Sequence, residues 1–582
     1  MNTLIYDLSA LMGEAFAKCG YDAAFGQVSS SDRPELCQFQ CNGAFRASKL
    51  AKKAPLAVAS EVAEILAQNE IIARAEAVKP GFVNFDLTDE YLAKRCAEIS
   101  CDEHLGVPQL QQGRKVVVDY GGPNVAKPLH IGHLRAAIIG EAVKRIHKAA
   151  GAEVIGDIHM GDWGLQMGLV IAQMSEKYPQ WRCFAEDFDP ATEAMNEIDL
   201  NELNELYPYA SARSKTDEEF SIKAHRITAQ LQAGHPGYTA VWKEIMRVSV
   251  ADLKRSYDRL NVDFEIWYGE SDAEKYVEPL LEQLGDHLRV SDGAQVVDVE
   301  LEEDTAPVPP IIIKKSDGSN MYATTDLATI LQRQRDWTPD EILYVVDKRQ
   351  SLHFTQVFRC AKKAEIVPES TKLEHLGFGT MNGADGKPYK TREGGVMQLS
   401  VLIDSVTEAA REKLANSEFV SEADLDEYAR KVGVAALKFG DLINQRAKDY
   451  IFDIDKFLSF EGKTGVYLLY TVTRMNSILR KADAEVKAAP AAIHGDADRE
   501  LMLTLLLTGE AYQHAVNEGA PNYICDNAYR IAAAFSRFYH DNHILTEENS
   551  EKRADWLALC ALTRRVMIAL LDCLAIDTVE NM

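Results

Sequence analysis

The spacing of apolar residues changes period along this chain, and the changes mark out its parts. Near the start, Leu4, Leu8, Leu11, Met12 and Phe16 recur at helical spacing and predict an amphipathic helix. PLAVASEVAEILAQNE predicts another helix, and IIARAEAVKPGFVNFDL alternates as two strands about a Pro80-Gly81 turn. Residues 1–107 therefore read as a small α/β module. At KVVVDYG, Lys115 to Gly121, alternation gives way to a β-branched run of the fully buried kind. A Gly/Pro/Asn loop follows, then a helical pattern from about His130 to Ala150, closed by Gly151. AEVIGDIHMGDWG supplies a second strand and loop, and GLQMGLVIAQM a second helix. Strand, helix, strand, helix predicts a parallel sheet with helical crossovers, which PPIIIKKSDG and DEILYVVDKRQ are expected to extend. The acidic stretch from about Trp181 to Phe220 reads as a helical insertion on the surface. From about Ser421 onward the pattern is helical, as in VGVAALKFGDLINQRAKDY and WLALCALTRRVMIALLDCLA, and predicts a bundle. The expected architecture is multidomain α/β: a module over 1–107, a Rossmann-type parallel-sheet domain over 108–420, and an all-α bundle over 421–582.

Composition narrows the class. The chain has 582 residues, 46% of them hydrophobic and 26% charged, as in ordinary globular proteins. No run of about 18 apolar residues suggests a membrane span. The N-terminus lacks a basic segment followed by an apolar one, so a secretory signal is not expected. Ten cysteines include no CxxC pair, and neither Cys37/Cys41 nor Cys96/Cys101 has histidines at zinc spacing. Reduced thiols in a cytoplasmic protein, without a protein-held metal, are expected. The net charge of −26 argues against non-specific coating of nucleic acid but leaves room for a shaped partner bound through local basic patches.

The candidate chemistry begins at PNVAKPLHIGHLRAAIIG, Pro123 to Gly140. Two histidines, His130 and His133, open a helix directly after a buried strand. A helix N-terminus carries partial positive charge and unpaired N–H groups, both of which favour phosphate. In an open α/β sheet, ligands sit at the carboxyl ends of the strands, where this helix starts. Gly132 between the histidines leaves room for a flat ligand to approach the backbone. No GxxxxGK[ST] loop occurs, so this is a nucleotide site that handles phosphate by other means. The bland alternative is a pair of surface histidines that merely cap the helix.

HIGH at His130–His133 resembles the signature of class I aminoacyl-tRNA synthetases, and its context is similar to the arginyl-tRNA synthetases. VDYGGPNVAKPLHIGHLRAAIIG, HMGDWGLQMG, YATTDLA, VVDKRQSLHF and GKPYKTREGG fall in that family's order, and DYIFDIDKFLSFEGKTGVYLLYTVTR and FSRFYHDNHILT resemble its C-terminal domain. The resemblance implies an ATP-dependent ligase that joins L-arginine to tRNA(Arg) through an arginyl-adenylate, with transfer to the 2′-hydroxyl of the terminal adenosine. It implies Mg²⁺ carried mainly by ATP, and it implies that tRNA binds before arginine is activated. His130, Gly132 and His133 would meet ATP. The family's second ATP loop corresponds here to Lys387-Pro388-Tyr389-Lys390-Thr391-Arg392, which keeps lysines but not the full pattern. Lys127, just before HIGH, is then the first candidate for the phosphate-binding lysine and Lys390 the second, with Lys387 and Arg392 remaining open. Gly121-Gly122 stand where the family commonly has serine or alanine.

Selection of a guanidinium asks for carboxylates that face its planar fork. Tyr322 and Asp326 match the family's Tyr-x-x-x-Asp pair, Glu270 is the expected second carboxylate, and Asn124 and Gln350 match positions that hold the α-amino and carboxylate groups. Basic stretches such as RASKLAKKA and TVTRMNSILRK, with Tyr450, Tyr470 and Tyr539 nearby, would suit phosphate contact and base stacking on tRNA. The helical domain is implied to read the anticodon and the N-terminal module to touch the tRNA's outer corner. A monomer is expected. The rivals are another class I synthetase, a non-catalytic tRNA-binding paralogue and a general nucleotidyltransferase.

Overall fold

The computed structural model describes residues 1–316, 318–387, 389, 397–415, 417–482 and 486–582. They form two units, one of Gln112–Ala410 with Gly440–Asp455, the other of Met1–Gln111, Arg411–Phe439 and Lys456–Met582.

The first unit is built on a four-stranded parallel sheet. Its strands lie in the order Lys372–His375, Glu341–Tyr344, Lys115–Asp119, Glu153–Asp157. Val116, Val117 and Val118 are buried, as are all four residues of Glu341–Tyr344, which is why both segments read as continuous apolar runs. The first strand in sequence is central. Its successor lies on one side and the Glu341 strand on the other, so the chain reverses direction across the sheet beside Asp119. Such a reversal opens a crevice at the carboxyl ends of the strands. The helices Ile131–Ala149, Leu165–Lys177, Tyr322–Trp337 and Ser351–Lys363 follow the sheet's turns.

One sequence expectation fails here. Ile311–Lys314 does not extend the parallel sheet but joins Arg289–Ser291 and Ala294–Val297 in a separate antiparallel sheet. Ile311 and Ile313 are buried while Ile312 is 40% exposed, so the strand alternates although its residues do not. The insertion predicted over about Trp181 to Phe220 is mainly helical only from Leu200, and it runs further than predicted: Leu200–Arg213, Glu218–Gln232 and Pro236–Asp258.

The second unit joins both ends of the chain. The N-terminal helix Leu4–Lys18 buries Leu4, Leu8, Met12 and Phe16, as its spacing requires. Behind it lies an antiparallel sheet in the order Val28–Ser30, Phe39–Cys41, Phe82–Leu87, Ile72–Val78. The helices Gly465–Lys481, Asp496–Leu506, Thr508–Glu518, Asn522–Asp541 and Ser550–Cys573 make the bundle. The module docks on the bundle through polar bonds as well as packing. Ile5 N donates to Glu510 at 2.6 Å, Arg499 to Asp89 at 2.6 Å, and Arg565 to the Ser100 carbonyl at 2.7 Å. Of the three tyrosines expected to stack on bases, Tyr539 is 40% exposed and shares the Arg474 guanidinium with Tyr470. Tyr450 belongs to the sheet-bearing unit and is buried against the Arg135 guanidinium at 5.2 Å, so it offers no stacking face.

Candidate active site

The central strand ends at Asp119, and a tight loop carries the chain to the helix Ile131–Ala149. Gly121 has φ +88°, a conformation that side-chain-bearing residues rarely adopt, and a Cβ there would lie a tight 3.1 Å from Phe264, so glycine relieves strain at this turn. His130 is the N-cap residue. Its Nδ1 accepts from Gly132 N at 3.0 Å, while His130 N donates to His133 Nδ1 at 3.1 Å. The two rings sit 4.0 Å apart. The histidines thus do cap the helix, by a reciprocal exchange that satisfies two otherwise orphaned N–H groups.

That exchange has a chemical result. An Nδ1 that accepts from the backbone leaves the proton of a neutral imidazole on Nε2. Burial and the Lys127 charge hold His130 below the usual histidine range. Burial, followed by the neighbouring His130 and Lys127, pushes His133 down to about 4. Near neutral pH both rings are therefore uncharged, with Nε2–H as the remaining donor. His130 and Gly132 are exposed and His133 is half-buried, so a ligand has access to them.

The loops around this helix start are zipped to it. Ile131 N donates to the Met397 carbonyl at 3.0 Å, and Leu399 N to the Leu129 carbonyl at 2.9 Å. Residues that directly follow the lysine-bearing loop are thereby fixed beside the histidines. Lys387 is exposed in a turn in which its N–H donates to Asp385 at 3.1 Å. Lys390 and Arg392 lie outside the described residues. Lys127 is half-buried, its ammonium 4.3 Å over the Tyr207 ring. Asn124 is exposed and bridges to Gly161, where Val125 N donates to the Gly161 carbonyl at 3.0 Å. A Cβ on Gly161 would sit 2.6 Å from Asn124 Oδ1, so glycine there lets the two loops meet.

A second cluster is acidic. Asp326, buried on the helix Tyr322–Trp337, lies 2.5 Å from His353 Nε2. Tyr322, one turn earlier and 61% exposed, has its ring 5.5 Å from that of His353. The Asp326 carboxylate, ahead of burial and Glu270, raises the Tyr322 hydroxyl well above its ordinary value. Glu270 is half-buried at the start of a short helix, where its N–H donates to the Met160 carbonyl at 3.0 Å. Burial raises its carboxyl, and Asp162 and Asp326 push the same way against His159 and the Trp163 N–H. Gln350 is exposed immediately before the helix Ser351–Lys363, three residues ahead of His353.

Arg333 anchors this cluster to the sheet. It is fully buried, with Nη2 2.6 Å from Asp119 and 2.7 Å from Asp157, the paired tips of adjacent strands. It lies two turns beyond Asp326 on the same helix. The structure therefore gathers His130, Gly132 and His133 at one place and Glu270, Tyr322 and Asp326 at another, with Asn124 on the connecting loop. Sequence reasoning missed His353, His159 and Asp162. His353 stands at helical spacing from Gln350, a signal that was available. Asp162 accepts from Ser271 N and Oγ at 3.0 and 2.6 Å, and His159 adopts φ +39°; no sequence pattern announces either. Among the described residues, no three His, Cys, Asp or Glu side chains gather into a group that could hold a metal.

Comparison with known proteins follows this geometry. The family model for the catalytic domain of class I (R) tRNA synthetases matches residues 96–454. Models for the arginyl tRNA synthetase N-terminal domain and the DALR anticodon binding domain match 7–87 and 468–582. A curated arginine–tRNA ligase of Alkaliphilus oremlandii is 48% identical, with both chains covered completely. One from Francisella tularensis is 42% identical over 99% of each chain. Among solved structures, the arginyl-tRNA synthetases of Plasmodium falciparum and Thermus thermophilus share the fold across the whole of both chains, with TM-scores of 0.83 and 0.79 at 22% and 23% identity.

Proposed function

The chain belongs to the arginyl-tRNA synthetases of class I and attaches arginine to tRNA, and on that premise we propose how its residues divide the work. In the first step an arginine carboxylate oxygen attacks the α-phosphorus of ATP, and pyrophosphate leaves. In the second, the 2′-hydroxyl of the terminal adenosine attacks the activated carbonyl, and AMP leaves. Neither step uses a protein nucleophile. Both need placement, and donors aimed where negative charge grows.

His130 and His133 give Nε2–H donors to the triphosphate, and Gly132 leaves the backbone open beneath the adenine. Lys127 supplies the cationic charge, with Lys390 as the second candidate and Lys387 after it. Asp326 and Glu270 receive the guanidinium, and Tyr322 packs beside it. Asn124 and Gln350 hold the α-amino and carboxylate groups. The imidazoles and lysines of the nucleotide end are poor partners for Mg²⁺, which prefers oxygen ligands, so the ion enters on ATP as part of the substrate. In the tRNA complex the N-terminal module over 1–107 meets the outer corner, and the bundle over 421–582 reads the anticodon. The chain acts in the cytoplasm, as a monomer.

The observation that supports this reading most is the reciprocal bonding of His130 and His133 at the start of the helix Ile131–Ala149, which leaves the Nε2–H of each neutral ring as its donor. The test is arginine-dependent ATP–pyrophosphate exchange, with and without tRNA for arginine. Exchange that appears only with tRNA and collapses in His130→Ala and His133→Ala is the expected result. Full exchange in both variants would remove the histidines from the reaction.

A further inference from the structure

The reading of Lys127 as the phosphate-binding lysine raises the question of what places its long, flexible side chain. The backbone is set by the insertion. Ala126, just before it, has φ +62°, and its N–H donates to Ser249 Oγ at 3.2 Å. Such a conformation in a residue with a Cβ needs outside support. The side chain is set by the insertion too. Its ammonium lies 4.3 Å from the ring centre of Tyr207, on the helix Leu200–Arg213. Among the described residues no carboxylate pairs with it, so its charge is not neutralised. That charge is felt at the nucleotide end, because it lowers the basicity of both His130 and His133.

The surroundings fit this role. Asn204 and Leu200 line a narrow crevice together with Lys127, Asn124, Ser249 and Asp252. Pro208, next to Tyr207, has no N–H to give the Asn204 carbonyl, so one carbonyl dipole beside the crevice lacks its helical donor. Tyr207 itself is half-buried, and a cation–π contact strengthens as water is excluded. An aromatic face holds an ammonium without cancelling its charge, whereas a carboxylate would compete with phosphate for it.

We propose that Tyr207 is a positioning residue: the insertion presents the Lys127 ammonium, oriented but unpaired, to the triphosphate. The proposal rests on the reading of Lys127, and the test separates the two. ATP–pyrophosphate exchange with tRNA present is measured for the wild type, Lys127→Ala, Tyr207→Leu, Tyr207→Phe and the double variant Lys127→Ala/Tyr207→Leu, all as full chains. Tyr207→Leu should lower kcat about tenfold, with KM for arginine unchanged. Tyr207→Phe, which keeps the ring face, should restore the rate. In the Lys127→Ala background Tyr207→Leu should add no further loss. An equal loss in both backgrounds, or no loss from Tyr207→Leu while Lys127→Ala is impaired, would overturn the role of Tyr207 and leave that of Lys127 standing. Full activity in Lys127→Ala would instead overturn the reading of Lys127 and the proposal with it.

Discussion

The two ends of the proposed active site treat charge in opposite ways. At the nucleotide end, the histidines bond to backbone N–H groups and are kept neutral, so they offer directed donors with little long-range field. At the proposed amino-acid end, Glu270 and Asp326 lie in one electrostatic neighbourhood with Asp162, and among the described residues His353 pairs closely with Asp326. The first end suits a ligand that brings its own negative charge and changes shape during reaction. The second stores negative charge that a bound guanidinium would relieve and a neutral side chain of similar size would not. Shape is fixed at one end and charge at the other.

The sharpest way to break this contrast is Asp326→Asn, which removes the stored charge with little change of shape. It should lower kcat/KM for arginine by about 10²–10³, the range for losing one partner of a buried charge pair. A loss that falls on KM for ATP instead would place Asp326 at the wrong end. Next, His130→Ala and His133→Ala should each lower kcat by about 10², with KM for arginine nearly unchanged, as for loss of a transition-state donor.

A smaller effect concerns pH. Burial raises the Glu270 carboxyl, and a guanidinium bound beside it would favour its ionised form. Arginine binding should therefore release protons and weaken as pH falls through the raised Glu270 value, by at most about tenfold per unit. Glu270→Gln should bind arginine more weakly and lose that slope. Over the same range the nucleotide end should stay flat, since His133 protonates only near about 4. Isothermal titration at several pH values reads both.

The smallest effect uses His147, at the far end of the helix that His130 caps. It is fully buried, neither ring nitrogen has a hydrogen-bond partner among the described residues, and burial pushes its pKa from 6.5 down to about 4. The unfolded chain takes up this proton below 6.5, whereas the folded chain does not until about 4. The stability tied to the neutral ring is therefore whole above the first value and is lost as pH falls toward the second. His147→Leu should flatten that part of the acid-unfolding profile and leave the exchange rate at pH 7.5 unaltered.

What the sequence reveals tracks the distance over which the physics acts. KVVVDYG announces a central strand because burial on both faces is written into successive valines. HIGH announces a helix start because capping is local. Ile311–Ile313 misleads because alternate burial leaves no mark on three identical residues. Tyr450 misleads because a tyrosine beside lysine and arginine looks the same buried or exposed. Asp326 and His353 stand 27 positions apart, and Lys127 and Tyr207 meet across an insertion. Such pairs become visible only once the chain has folded.

The bond between Ile5 and Glu510 joins residues 505 positions apart. Ribosomes add roughly 5–20 residues per second, so the N-terminal helix leaves the tunnel roughly 25–100 s before its partner exists. During that interval the surface that will meet the bundle is open to any passing chaperone or nascent neighbour. The rate at which this protein matures in a cell is thus tied to translation speed, and codons that slow the ribosome anywhere in the intervening sheet-bearing unit lengthen the exposure of its earliest-made part.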